Sequence, residues 1–245
     1  MAKQFKTELH AHTAEVSPCA DLCGADVVER FIASGYDSVV ITNHYCDYVI
    51  DHAGDTWEEK IEHYLSGWRA AKDAAKGRIN VILGCELRFT ENLNDYLIFG
   101  MTEDFMRTHP ELHKMTLKSF SALARENGIL VVQAHPFRYR MTVMPPEYLD
   151  GIEVFNGHIG HDSRNFAANA WANRYGLIRT SGGDFHHPHQ PSDVAGILTD
   201  KPVTTMEQLT SILKSGDYSL ICAGPVAERD GIEPPERKAY ASPSV

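Results

Sequence analysis

Short apolar runs alternate with amphipathic stretches along most of the chain. Ser38-Val39-Val40-Ile41-Thr42 is a β-branched run of strand length. Similar runs predict strands over 5–10, 80–83, 96–99, 129–132, 151–155, 177–180, 194–198 and 218–221. Between them the apolar period changes to that of a helix. Val27, Val28, Phe31 and Ile32 mark one over 25–34, and further helices are predicted over 57–76, 112–127, 163–175 and 206–214. Gly35, Gly77, Gly128 and Gly176 each follow a helical stretch, where glycine commonly ends one.

Repeated strand-then-helix units imply a mainly parallel sheet. Seven or eight such strands in 245 residues favour a closed α/β barrel over an open sheet. No fixed-period repeat is present and no linker interrupts the pattern. The expectation is therefore a single barrel domain over 1–228, followed by a polar, proline-containing tail over 229–245 that builds no core.

Composition changes this picture little until histidine is reached. Hydrophobic residues make up 43% and charged residues 23%, as in an ordinary globular protein. A formal net charge of −10 argues against duplex nucleic acid or an anionic membrane as the main partner. No apolar run approaches the roughly 18 residues of a membrane-spanning helix, and residues 1–6 carry no apolar leader core. With five scattered cysteines, this predicts a reducing, cytoplasmic setting. Cys19 and Cys23 lie four apart, but no second cysteine pair follows to complete a zinc knuckle.

There are 13 histidines, and many sit beside acids at the ends of the apolar runs. The first run ends in His10-Ala11-His12, the second in Asn43-His44, the third in Gly84-Cys85-Glu86, a later one in His135-Pro136, and another in Asp184-Phe185-His186. Active sites of α/β barrels form at the C-terminal ends of the strands. Residues i and i+2 of a strand share a face, so His10 can point with His12, and Asp184 with His186. Any one of these residues alone reads as a hydrogen-bonded histidine or an ion-pair partner. Five strand ends delivering imidazole or carboxylate to one rim read as a metal site, and a carboxylate such as Glu86 has two oxygens with which to bridge two ions.

At these residues the sequence resembles the PHP (polymerase and histidinol phosphatase) superfamily, over about residues 5–225. The resemblance rests on Leu9-His10-Ala11-His12-Thr13, Ile41-Thr42-Asn43-His44, Gly84-Cys85-Glu86, Ala134-His135-Pro136-Phe137-Arg138 and Gly182-Gly183-Asp184-Phe185-His186, in that order. It implies a distorted, TIM-like (β/α)7 barrel holding two or three divalent ions and hydrolysing phosphoesters. By position, His10, His12, Glu86 and Asp184 would hold one ion, and Glu86 would bridge to a second shared with His135. His44 and His186 would hold a third, with Glu15 as the candidate for a further ligand that the family supplies just after the first histidine pair. The chain departs from the family in having Asn43 where an Asp is common. It also lacks a histidine beside the strand at 96–99, so Asp95, His109 and His113 are the candidates there.

The reaction this implies is hydrolysis of a small phosphorylated metabolite, monoester or diester, by water activated on zinc, manganese or iron. Arg138, with Arg140 as second candidate, would clamp a phosphate through its planar fork, and His158 in the glycine-containing loop at 157–161 would serve as general acid. Tyr45, Tyr48 and Trp57 are candidates to shape the pocket. Two alternatives remain. One is a related metallohydrolase acting on a non-phosphate ester or amide, against which stands the lack of a strand-end lysine for a bridging carbamate. The other is an exonuclease-type module serving a polymerase, against which the acidic charge counts.

Overall fold

The computed structural model describes residues 3–232. Among these residues eleven strands form two sheets. In chain order the strands are β1 (Phe5–Ala11), β2 (Ser38–Ile41), β3 (His44–Tyr45), β4 (Asn80–Leu83), β5 (Cys85–Arg88), β6 (Asp95–Phe99), β7 (Leu130–Gln133), β8 (Gly151–Asn156), β9 (Ile178–Gly182), β10 (Ala195–Thr199) and β11 (Ser219–Cys222). The helices are α1 (Gly24–Ala33), α2 (Asp47–Ile50), α3 (Trp57–Ala75), α4 (Glu103–Thr108), α5 (Leu117–Glu126), α6 (Asn165–Tyr175), α7 (Met206–Ser215) and α8 (Gly224–Arg229). One sheet has the order β11-β10-β1-β2-β4 and the other β3-β5-β6-β7-β8-β9.

Hydrogen bonding thus divides the strands between two sheets, where the sequence suggested one closed ring. The pairs β1–β10, β10–β11, β5–β6 and β6–β7 run antiparallel, so the sheets are mixed, where a mainly parallel sheet was expected. Two short strands, β3 and β5, and the helices α2, α4 and α8 escaped the sequence reading because runs of two to six residues carry too little periodicity. The long helix expected over 112–127 is a 3-10 turn, Leu112–Lys114, followed by α5, whose start is fixed by the capping side chain of Thr116.

A cluster drawing on both sheets fills the interior: Leu9, Val40 and Ile82 meet Leu97, Phe99 and Val132, and α7 adds Leu209 and Leu213. On the outside, α1 and α3 cover β2 through Val27, Phe31, Val39 and Ala71. Helix α8 packs Val226 and Ala227 on Phe155, with Ile232 against them, so the packed chain reaches residue 232. The tail read from 229 on lies, from residue 233, outside the described residues. No helix among the described residues is long and apolar enough to cross a membrane.

The sheets join at one rim. Ala11 forms a parallel bridge with Phe185; His12 N–H donates to Phe185 O (3.0 Å) and Phe185 N–H to His10 O (3.1 Å). Register shifts occur in β1 between Glu8 and Ala11, and in β8 between Glu153 and Phe155. Such bulges re-aim side chains beside functional sites. Here they allow Leu9 to join the interior cluster while the neighbouring His10 turns to Glu153. At the seam Gly182 has no room for a side chain: a Cβ would lie 2.4 Å from His10 Cβ and 2.8 Å from Glu153 Oε1. We expect Gly182→Ala to lower stability by about 1–3 kcal/mol, as overpacking does. A denaturation midpoint equal to that of the parent would contradict this close approach.

Candidate metal centre

Glu86 lies at the centre of the rim and is fully buried. Its Oε1 faces His10 Nε2 at 3.2 Å and His135 Nε2 at 3.2 Å; its Oε2 faces His12 Nε2 at 3.3 Å and His44 Nδ1 at 2.8 Å. Asp184 adds a second carboxylate, with Oδ1 3.4 Å from His10 Nε2 and 3.6 Å from His12 Nε2. Among the described residues four groups could each hold an ion: His12–His44–His186, His10–His12–Glu86, His10–His135–Asp184 and His44–Glu86–Asp95. In each, the ligand atoms lie within 4.8 Å of one another. The strand ends named from the sequence at His10, His12, His44, Glu86, His135, Asp184 and His186 therefore converge.

The orientation of the rings tests whether cations fit. Ser17 hydroxyl donates to Asn43 Oδ1 (3.0 Å), so toward His12 Nδ1 (3.2 Å) it acts as acceptor. His12 must then carry its proton on Nδ1. Its buried Nε2 lone pair, which has no hydrogen-bond partner among the described residues, faces two carboxylates. Burial, with His186 and His44 nearby, also holds this imidazole well below its ordinary pKa and so neutral. Two acceptors face each other in the dry interior, an arrangement that a divalent cation between them resolves. His10 Nδ1 is likewise held by Glu153 Oε1 (2.9 Å), and His186 Nδ1 by the Asp184 carbonyl (2.9 Å), which leaves Nε2 as the ligand atom of each.

The charges respond accordingly. Burial opposes ionisation of Glu86, but His10 and His44 outweigh it and hold the carboxyl well below its usual range. Burial opposes ionisation of Asp184 too, and His10 and Arg138 overcome it. Two of the residues, His135 (φ 27°) and Asp184 (φ 49°), have left-handed backbone conformations, which are sparsely populated outside glycine.

Other expected residues lie differently. Glu15 joins none of the four groups; both its oxygens accept from Gly24 N–H (2.9 and 3.0 Å), so it caps α1. Asn43 accepts from Thr13 N–H (2.7 Å) and from Ser17, which folds the loop after β1. His113 is bonded to Asp51 (3.1 Å) and His109 stacks on Phe105, both outside the groups, whereas Asp95 reaches the rim with Oδ2 3.9 Å from His135 Nε2. Arg138 Nη2 donates to Asp184 Oδ2 (2.6 Å) and Asn156 Oδ1 (2.9 Å), while Arg140 is exposed. Tyr45 is packed in the core on Tyr64, and Trp57 donates to carbonyls of α4; Tyr48 alone stays near the rim, 6.4 Å from the His44 ring.

His158 Nδ1 accepts from Gly160 N–H (3.0 Å), and burial, partly opposed by Asp184, pulls its pKa down to about 4. It is therefore uncharged at neutral pH, and any proton it gives comes from Nε2 of a neutral ring. That weakens the general-acid role expected for it.

Sequence reasoning missed Glu153, Glu8, Asn156 and Ser17. Glu153 Oε2 accepts from His135 N–H and Asn156 Nδ2 (both 2.9 Å) while its Oε1 holds His10. Glu8 Oε1 accepts from the N–H groups of Leu9 (3.0 Å), His10 (2.8 Å) and Gly183 (2.7 Å). An acid inside a buried apolar strand was the available signal for both. Burial opposes ionisation of the Cys19 thiol, but hydrogen bonds with His186 and His44 outweigh it and bring its pKa down to about 6.

Two variants probe these missed carboxylates. Glu153→Gln loses the charge that holds the His10 proton on Nδ1, and metal affinity should fall about 10- to 100-fold; unchanged affinity in a metal titration would remove Glu153 from this role. Burial raises the Glu8 carboxyl from 4.5 to about 7, against the backbone hydrogen bonds that lower it. A raised carboxyl pKa means that its contribution to stability is fully present below the unfolded value and is lost as pH rises through the folded value. Glu8→Gln should therefore gain stability over the parent between pH 5 and 8, on the order of 3 kcal/mol. A stability difference that stays flat across that interval in denaturant titrations would contradict the buried charge.

No family model and no curated protein matches the sequence. Solved structures do. A two-domain protein from Bacteroides vulgatus, described as containing a predicted PHP-like metal-dependent phosphoesterase, matches with TM-score 0.65 at 17% identity, over 90% of this chain and 65% of its own. This chain therefore spans just under two thirds of that protein. PsfC from Pseudomonas syringae matches with TM-score 0.65 at 14% identity, over 94% of this chain and 97% of its own. Endonuclease Q, in complex with a 27-mer duplex carrying an abasic lesion at the active site, matches with TM-score 0.59 at 16% identity, over 87% of this chain and 57% of its own. That complex corrects the expectation that duplex nucleic acid is an unlikely partner: a protein similar in fold over 57% of its own length is bound to duplex DNA, and net charge alone does not decide the question. The chain has the fold of the PHP-like metal-dependent phosphoesterases, in line with the resemblance carried by its motifs from Leu9 to His186.

Proposed function

We propose that the chain is a metal-dependent phosphoesterase of the PHP superfamily that hydrolyses a small phosphorylated metabolite, monoester or diester. Its two or three divalent ions, zinc, manganese or iron, would sit at one mouth of a distorted (β/α)7 barrel. A cytoplasmic location fits its five free cysteines. The observation that carries the reading is the His12 Nε2 lone pair held toward the Glu86 and Asp184 oxygens with no proton between them.

His10, His12, Glu86 and Asp184 are assigned to one ion. Each oxygen of Glu86 faces two imidazoles, which suits a bridge to a second ion with His135. His44 and His186 are assigned to a third. Bound ions would polarise a phosphoryl oxygen and make a water acidic enough to attack near neutral pH. The chain's own groups do the positioning. Glu153 and Ser17 fix the rings of His10 and His12. Arg138 uses Nη2 on Asp184 and Asn156, which leaves the other side of its planar fork to orient a phosphoryl oxygen. His158 would offer its neutral Nε2–H to the leaving oxygen.

The test is hydrolysis of a chromogenic phosphate monoester with added manganese or zinc, set beside a phosphodiester, a carboxylic ester and a duplex oligonucleotide with an abasic site. Turnover of the small phosphoesters that stops with chelator is expected. Turnover of the carboxylic ester alone, or of none, would overturn the reading. Glu86→Gln should lose more than one ion per chain, and its activity should fall by more than the roughly 10- to 100-fold typical of an orienting partner. Full metal occupancy in that variant would remove Glu86 as the bridge.

A further inference from the structure

Resting on the phosphoesterase reading, we propose that Arg88 forms a second anion subsite at the rim beside the metal centre. It takes an acidic group, carboxylate or phosphate, on the part of the substrate that does not react. The preferred substrate is then a phosphoester with an anion at each end, and Arg88 selects it.

The strand dictates where Arg88 stands. Glu86 and Arg88 are two apart in β5, so their side chains share a face. Cys85 and Leu87 alternate onto the other face, into the cluster around Tyr64 and Phe120. In the antiparallel pairing with β6, Glu86 lies opposite Leu97 and Arg88 opposite Asp95. Leu97 and Phe99 belong to the interior cluster, whereas Asp95 opens β6 at the rim. Arg88 is therefore one step nearer solvent than Glu86 on the same face, an advance of about 6.6 Å along the strand.

The pairing of the guanidinium dictates what it can still bind. Nε donates to Asp95 Oδ1 and Nη2 to Asp95 Oδ2, both at 2.7 Å. Asp95 is buried, so this edge of the fork is committed. Nη1 has no hydrogen-bond partner among the described residues and is not among the buried polar atoms; the side chain as a whole is 27% exposed. The second edge, Nη1 with the remaining hydrogen of Nη2, is left open to solvent in a fixed orientation. A guanidinium locked in this way loses little freedom when an anion arrives. Asp95 Oδ2 lies 3.9 Å from His135 Nε2, so one carboxylate separates Arg88 from a candidate ligand of the ions.

Arg138 has the complementary place. It is anchored on Asp184, just past β9, and β6, β7 and β8 lie between β5 and β9 in the sheet. Of the groups able to hold ions, His44–Glu86–Asp95 is thus flanked by one guanidinium and His10–His135–Asp184 by the other. Arg138 orients the phosphoryl oxygen, and Arg88 receives the anion at the far end of the same molecule. A substrate with a neutral tail leaves Nη1 in water and gains nothing from it.

Calorimetric titration of the zinc-loaded full-length protein with phosphonates, which resist hydrolysis, reads the subsite without turnover. Phosphonopropionate carries a carboxylate at its far end, ethylenediphosphonate a second phosphonate, and propylphosphonate a methyl group. The parent is expected to bind at least one of the first two about 10- to 100-fold more tightly than propylphosphonate, as a charged hydrogen bond provides. The tighter of the two identifies the tail as carboxylate or phosphate. Arg88→Gln, which still offers Asp95 an amide donor, should lose the preference. Arg88→Lys keeps a charge on Asp95 but has no second edge, so it should weaken the preference and serves if Arg88→Gln does not fold. A purely structural role for Arg88 would weaken all three probes together. That result, no preference in the parent, or a preference unchanged in either variant would overturn the subsite and leave the phosphoesterase reading standing. Failure of the parent to bind any of the phosphonates would overturn both.

Discussion

A fully buried carboxylate surrounded by imidazoles is the constraint on which the rest of the structure depends. Glu86 cannot remain ionised in a dry interior without compensation, and four histidines from the end of β1, the start of β3 and the end of β7 supply it. The compensation is incomplete for one of them. His12 is held neutral, with its proton committed to Ser17, so it presents a lone pair to Glu86 and Asp184. A protein that needed only internal ion pairs would gain by releasing that ring to donate. The chain instead fixes it in the tautomer that repels its neighbours, as a site preorganised for cations requires.

That preorganisation explains features of the fold with no evident value for stability. The two sheets meet along a short bridge between Ala11 and Phe185, and the residues on either side of the bridge are the candidate ligands. The bulges in β1 and β8 place His10 and Glu153 in contact across the seam, and Gly182 exists there because nothing larger fits. His135 and Asp184 adopt left-handed conformations that most side chains avoid. His135 is held there by its N–H on Glu153, and Asp184 is fixed by Arg138 and Asn156. One carboxylate, Glu153, therefore orients a ring and anchors a strained backbone at once.

Much of this was legible in the sequence, for a physical reason. An imidazole or carboxylate directly after a short apolar run sits at a strand end, and the order of such ends survives errors in the strand boundaries. The direction of the strands was not legible. Asp95 opens β6, and in a parallel barrel it would lie at the far end of the molecule. Because β6 runs antiparallel to both β5 and β7, its first residue comes to the same rim as Glu86 and His135, where Arg88 grips it with two bonds of 2.7 Å. The β5–β6 hairpin was hidden because β5 is only four residues long, and the pairing of β6 with β7 across α4 and α5 leaves no local signature. Glu8 and Glu153 were hidden for a different reason. An acid within a strand normally alternates out to solvent, but both faces of these strands are covered, and the two acids are buried against backbone N–H groups instead.

The loop after β1 shows most clearly how closure overrides spacing. By position alone Glu15 was the natural further ligand, being a carboxylate three residues past His12. Its side chain turns away because the first turn of α1 offers unpaired N–H groups, and a carboxylate gains both hydrogen bonds and the favourable end of the helix dipole there. Once Glu15 is committed to Gly24, the chain between them must close as a compact loop. Its hydrogen bonds at Ser17 and Asp21 then tie it to the His44 N–H and the His186 carbonyl. The same bond that removes an oxygen ligand from the site thus sets the course of the loop beside it, and that corner of the rim is shaped by how a helix N-terminus is capped.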